Sequence, residues 1–250
     1  IAAMTVTYKG EAVTLPGMSK YLGDPDRAVS EEAFRLVSSR RLLDAEALDA
    51  VFDKMVALRD KVSLNADFKN YRDYMHVGKE RFDYTPEDCL AFGENVKQYI
   101  VPAMRKINEH RRQKLGVDTL RPWDTSVDLD GADAFEPFTD AAGHVDVSAK
   151  LMSAVAEDFG EELRWMSSQG LLDLETRPHK GPGGFMDNLE KRRVPVIFAN
   201  SGTTHGDVET LVHEGGHALN GLFCRDLEPV AYRMPPLEFA EVASMGLEAL

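Results

Sequence analysis

His213 and His217 stand four residues apart in one apolar stretch, with Glu214 directly after the first. On an α-helix that spacing puts both imidazoles on one face, where they can converge on a single metal ion. Glu214 then lies one residue round from His213, beside an open coordination position rather than in the ligand set. Val208, Leu211, Val212, Leu219 and Leu222 give an apolar stripe at helical spacing, with Asp207 in the N-cap position. The helix is therefore of a buried type, in which two imidazoles and a carboxylate are costly unless something satisfies them. One Zn²⁺ per chain is the expected partner. Hydrolysis, with Glu214 as general base, is the expected chemistry.

A helix offers two ligands on one turn, so a third must come from elsewhere. Classes that use a further histidine six residues on, with a glycine three residues on, are excluded, because Phe223 and Asn220 occupy those places. A His₂Glu site needs one carboxylate from a following helix. After Pro235-Pro236, the segment from Leu237 to Met245 reads as such a helix and carries both Glu238 and Glu241. Spacing alone does not choose between them; Asp226 and Glu228 fall in a loop around Pro229.

The run from Pro236 to Met245 resembles the third-ligand helix of the oligoendopeptidase F branch of the thimet oligopeptidase family. Lys180-Gly181-Pro182-Gly183-Gly184-Phe185 is similar to the basic, glycine-rich stretch before that family's active-site strand, and Val194 to Asn200 to the strand itself. His205 to Leu211 leads into the zinc motif in the same way, and Arg121-Pro122-Trp123-Asp124 also resembles a segment of this branch. The likeness covers most of residues 65–250 and is strongest from 177. It implies a mainly α, helical zincin-type metallopeptidase with a small sheet beside the active-site helix. It also implies Glu241 as third zinc ligand, 24 residues after His217, and a substrate class of short oligopeptides cut at internal bonds. The family's later oxyanion-stabilising histidine and tyrosines have no counterpart carried over here. Gly215 departs from many relatives, and with Gly216 it puts two glycines in mid-helix at about 1 kcal/mol each relative to alanine. Close packing, or room for substrate beside the metal, is the expected return.

A net charge of −13 leaves no basic stripe for phosphates, so nucleic acid is not an expected partner. No apolar run reaches membrane-spanning length, and no signal segment opens the chain. Cys89 and Cys224 read as free thiols of a reducing, cytoplasmic setting. Oligomeric state is not expressed in the sequence. The start at Ile1, and the uncapped end inside the last helical pattern, read as a partial chain. Its expected division is a helical lobe region over 1–120 and a zinc-bearing region over 121–250.

Along the chain, residues 4–15 suit a hairpin, Ser30 a helix cap, and Asp44 the start of a helix with Leu48, Val51, Phe52, Met55 and Leu58 on one face. Tyr71, Tyr74 and Phe82 suit packing between helices. Thr85-Pro86-Glu87-Asp88 is a helix start, Pro102 a kink and Gly116 an end. Residues 120–147 read as irregular, and Ser148 as the start of a helix to about Gly170, interrupted near Gly160. Val194 to Phe198 reads as a strand placed at a sheet edge by Pro195. Phe198, Ala199 and Asn200 would then bind substrate by strand addition, which the resemblance also implies. His205, Asp207 and Ser244 are candidates to orient metal ligands. His76, His110, His144 and His179 read as surface or loop residues. Two further functional readings are a zinc-stabilised but silent peptide-binding module and a zinc exopeptidase.

Overall fold

Alternation in the first segment folds into an antiparallel hairpin, β1 (Thr5–Tyr8) and β2 (Glu11–Thr14), turned at Lys9-Gly10, where both residues take positive φ. The structure, a computed structural model, describes residues 2–130 and 135–250; Ile1 and part of the expected irregular stretch lie outside them. A short helix α1 (Ser19–Leu22) precedes α2 (Arg27–Leu42). α2 begins earlier than Ser30, because the Asp26 carboxylate already accepts the Ala28 amide at 2.9 Å. Ser30 is instead a buried residue of the helix interior. α3 (Ala45–Asn65) follows Asp44 as expected, although the Asp44 carboxylate takes Arg40 rather than a helix amide. α4 (Tyr71–Gly78) is capped by Asn70, and α5 (Pro86–Asn95) by the reciprocal Thr85/Asp88 box. One π-turn, Val96–Ile100, joins α5 to α6 (Val101–Lys114) immediately before Pro102, whose missing N–H loosens the ladder there. Gly116 ends that run at φ 65°.

α7 (Ala141–Val155) starts at Asp140, whose carboxylate takes the Gly143 amide at 2.8 Å, and not at Ser148. α8 (Glu157–Ser168) follows after extended Ala156. Gly160 does not break that helix; its missing Cβ lets α8 approach the Ala149 carbonyl of α7. Three strands come next: β3 (Leu172–Glu175), β4 (Phe185–Leu189) and β5 (Val194–Ser201). The last two helices are α9 (His205–Cys224) and α10 (Leu237–Glu248). Helices dominate, and the sheets are small.

The strand order is β3-β5-β4, so β5 is central, parallel to β3 and antiparallel to β4. This corrects the expectation that Pro195 marks an edge. The Ile197 amide points to Leu171 at 2.9 Å, and Pro195 faces the same way two residues earlier. Pairing with β3 begins only at Ile197, so no ladder bond is lost at the proline. Lys180 fastens this sheet: its buried ammonium donates to the carbonyls of Asp173, Glu175 and Ala199 and to the Asp173 carboxylate.

The chain divides into two units, residues 1–37 with 126–250, and residues 38–125. The first crossing, near 37, falls within α2, whose first residues share a core with the hairpin. In the first unit a core of Met152, Leu163, Met166, Ile197 and Leu211 fills the space between sheet and helices. Each fully buried side chain of that size contributes about 1.5–3 kcal/mol. In the second unit the expected apolar face of α3 is largely exposed, as is Phe82.

His144 and His76 are buried, not superficial. The His144 ring stacks on Phe138 at 4.2 Å, and its Nε2–H donates to the Asp207 carbonyl at 2.9 Å. Nδ1 has no partner among the described residues. Burial therefore holds this imidazole below its ordinary 6.5, against the pull of the Asp207 carbonyl and charge. A base with a depressed folded pKa stabilises the fold above its unfolded value, and that stability is lost as the pH falls below it. With metal removed, the melting temperature should drop more steeply between about pH 7.5 and 5.5 in the parent than in His144→Gln. Parallel curves would show that His144 does not supply this dependence.

Candidate metal centre

α9 opens with a capping box one turn before the expected cap. Thr204 is the N-cap, and the Asp207 carboxylate accepts its amide and hydroxyl at 2.7 Å each. Asp207 is thus committed to the helix start. Exposed His205 pairs with Glu209 at 3.4 Å. Neither side chain reaches a candidate ligand.

Two turns further, His213 and His217 project from one face, their rings 5.0 Å apart and nearly perpendicular. Glu241, from α10, brings Oε2 to 3.4 Å from His213 Nε2 and 3.6 Å from His217 Nε2. The three ligand atoms lie within 4.8 Å of one another. Glu238 sits in the first turn of α10, outside the cluster. Ligands about 2.0–2.1 Å from one tetrahedral ion stand roughly 3.3–3.4 Å apart, close to the separations here. The spacings are long for direct hydrogen bonds, yet they bring two imidazole nitrogens and a carboxylate oxygen together. That donor set fits a divalent cation.

Supporting contacts hold two of the three candidate ligands. Buried Ser244, one turn along α10, donates its hydroxyl to Glu241 Oε2 at 2.9 Å. Glu248, another turn on, takes the Nδ1 side of His213 at 3.0 Å. The helical series 241, 244, 248 is visible in the sequence, but spacing alone assigns Glu248 no role. Gly216 lets the two helices meet: a Cβ there would come within 2.6 Å of the Ala243 carbonyl and Ser244 Cα. Gly215 faces only the flexible end of Met152, at 3.1 Å. The loop between α9 and α10 is anchored by Arg233, which no sequence pattern singles out. Its guanidinium is buried and donates to Glu228 at 2.6 Å, to the Leu227 carbonyl at 2.9 Å and to Glu190 at 3.4 Å.

Glu214 is 8% exposed. Burial raises its carboxyl above the ordinary carboxylate range; the charges of His217 and His213 and a hydrogen bond from the Met186 amide oppose that rise. Met186 pairs opposite Ile197, whose amide faces β3, so the Met186 amide points away from β5 and out from the β4 edge. Gly184 lies against the same carboxylate, with space for a Cβ only 3.5 Å from Glu214 Oε1. The glycine-rich stretch and β4 therefore border Glu214.

Phe198, Ala199 and Asn200 lie on central β5 and offer no strand edge. Phe198 stacks on Phe185 at 5.0 Å, Ala199 is buried, and the Asn200 amide donates to Gly181 at 2.7 Å and Gly183 at 2.9 Å. The bordering strand is β4, of which only Phe185 falls within the glycine-rich stretch singled out in the sequence.

Among the described residues no helix is long and apolar enough to cross a membrane. An oligoendopeptidase F homolog of Lactococcus lactis subsp. lactis is 23% identical over 228 residues, 90% of this chain and 36% of that protein. Group B oligopeptidase PepB of Streptococcus agalactiae is 21% identical over 244 residues, 94% of this chain and 38% of the relative. The solved structure of PZ peptidase A with inhibitor 2 superposes with a TM-score of 0.93 at 29% identity, over 99% of this chain and 44% of that one. The chain thus spans 36–44% of the length of these relatives. The sequence pattern of peptidase family M3 matches residues 20–250, and to that family the chain belongs.

Proposed function

We propose that this chain carries the zinc-binding part of an endopeptidase that cuts internal bonds of short peptides. The observation that supports it best is the convergence of His213 Nε2, His217 Nε2 and Glu241 Oε2 beside a buried carboxylate, Glu214. His213, His217 and Glu241 would hold a zinc ion, which would supply Lewis acidity to a water molecule and to the scissile carbonyl. Glu214 accepts the proton that the attacking water loses as its oxygen bonds to the carbonyl carbon. It then delivers that proton to the amide nitrogen as the C–N bond breaks. The Met186 amide holds the Glu214 carboxylate in place during both transfers.

The substrate backbone would lie along the free edge of β4, next to the base. That placement replaces the one expected on Phe198, Ala199 and Asn200. Backbone pairing recognises an extended chain with little regard to side chains, which suits an oligopeptidase. Cys89 and Cys224 are free thiols, in keeping with a cytoplasmic protein.

Zinc content and two substrates test the reading together. The zinc-loaded protein should bind one equivalent and cleave a quenched peptide internally, while leaving a short free-terminus substrate largely intact. Preference for the terminal substrate would make it an exopeptidase. Stoichiometric zinc with neither substrate cleaved would favour a silent peptide-binding module.

A further inference from the structure

The geometry points to Glu248 as a positioning residue that fixes the tautomer and aim of the metal-facing imidazole of His213. The inference rests on the zinc reading above and extends it by a residue on the same helix as the third ligand. Glu248 Oε2 is 3.0 Å from His213 Nδ1, while His213 Nε2 faces Glu241 at 3.4 Å. With Nδ1–H donating to Glu248, the lone pair sits on Nε2, turned toward Glu241 and His217. A carboxylate on the far nitrogen also holds the ring plane.

The series Glu241, Ser244 and Glu248 gives α10 three linked contacts at the site. Glu241 supplies a ligand atom, Ser244 holds that carboxylate, and Glu248 holds an imidazole of the facing helix. Moving α10 thus disturbs two of three ligands at once. An alternative role for Glu248 is a simple surface tie between α9 and α10. Its side chain is 42% exposed, and ion pairs at that exposure contribute little to stability.

These roles separate in metal affinity. Glu248→Ala should bind zinc about 10–100-fold more weakly in chelator competition, with the melting temperature of the metal-free protein close to the parent's. Glu248→Gln keeps an acceptor for Nδ1–H and should recover most of the loss. The cobalt-substituted proteins should repeat the order, with the visible d–d bands of Glu248→Ala shifted from the parent's. Parent-like affinity in Glu248→Ala overturns the inference, as does a glutamine variant no better than alanine. If the parent itself binds no zinc, the site reading fails, and this inference with it.

Discussion

Glu214→Gln should leave zinc binding intact and lower turnover by about 10²–10⁴-fold, the usual contribution of a positioned general base. Glutamine matches glutamate in shape, and its carbonyl oxygen can still accept the Met186 amide that Glu214 accepts now. The pocket should therefore keep its packing, and KM should move little. What disappears is the capacity to take a proton from water and return it to the leaving nitrogen. Burial suits this side chain to proton transfer, because a carboxyl held above the ordinary carboxylate range is a stronger base than an exposed glutamate. The measurement is kcat and KM on a quenched internal peptide, alongside zinc content, for both proteins. Parent-like cleavage by a fully zinc-loaded Glu214→Gln would refute the assignment. Loss of zinc with loss of rate would instead assign Glu214 to holding the site together.

The site was legible in the sequence as far as helix periodicity carries. His213, Glu214 and His217 lie within one turn and a little more, so their mutual placement follows from the helix alone. Glu241 stands across a loop, and nothing local chooses it over Glu238. The resemblance of the run from Pro236 to Met245 supplied that choice, and the cluster of ligand atoms contains Glu241. Glu248 occupies a predictable face, but its role depends on how close α10 comes to α9, which is a tertiary fact.

The errors have the same origin. Pro195 does argue against a central strand, yet β3 begins pairing beyond it, so the order of the sheet is invisible to the pattern. His144 looks like any lone histidine until α9 and Phe138 cover it. Asp207 reads as the N-cap, but Thr204 takes that place and Asp207 the third position. The capping box at Thr85 and Asp88 was legible because all its atoms lie in one turn. Where a feature closes on itself locally the residues announce it; where a second element completes it they do not.

The two mid-helix glycines of α9 should respond in opposite ways to alanine. Both changes add helix propensity, worth about 1 kcal/mol each. At Gly215 the new methyl meets only the end of the Met152 side chain, at 3.1 Å, and a methionine can rotate aside. Gly215→Ala should therefore be close to neutral or slightly stabilising. At Gly216 the methyl would press within 2.6 Å of the Ala243 carbonyl and Ser244 Cα, atoms of the α10 backbone. No rotamer change relieves that contact, so α10 must move away from α9. Overpacking of this kind costs about 1–3 kcal/mol, enough to outweigh the gain in propensity. The displacement also carries Glu241 away from both imidazoles and Glu248 away from His213. Gly216→Ala should therefore weaken zinc binding by at least about tenfold, comparable to losing a supporting contact. Thermal unfolding of the metal-free proteins and chelator competition on the same samples read the two effects separately. Equal zinc affinity in both variants would show that α10 reaches the metal ligands without needing glycine at the crossing. Parent-like affinity at Gly215→Ala with a loss at Gly216→Ala would tie the candidate ligand Glu241 to the close approach of α10 at Gly216.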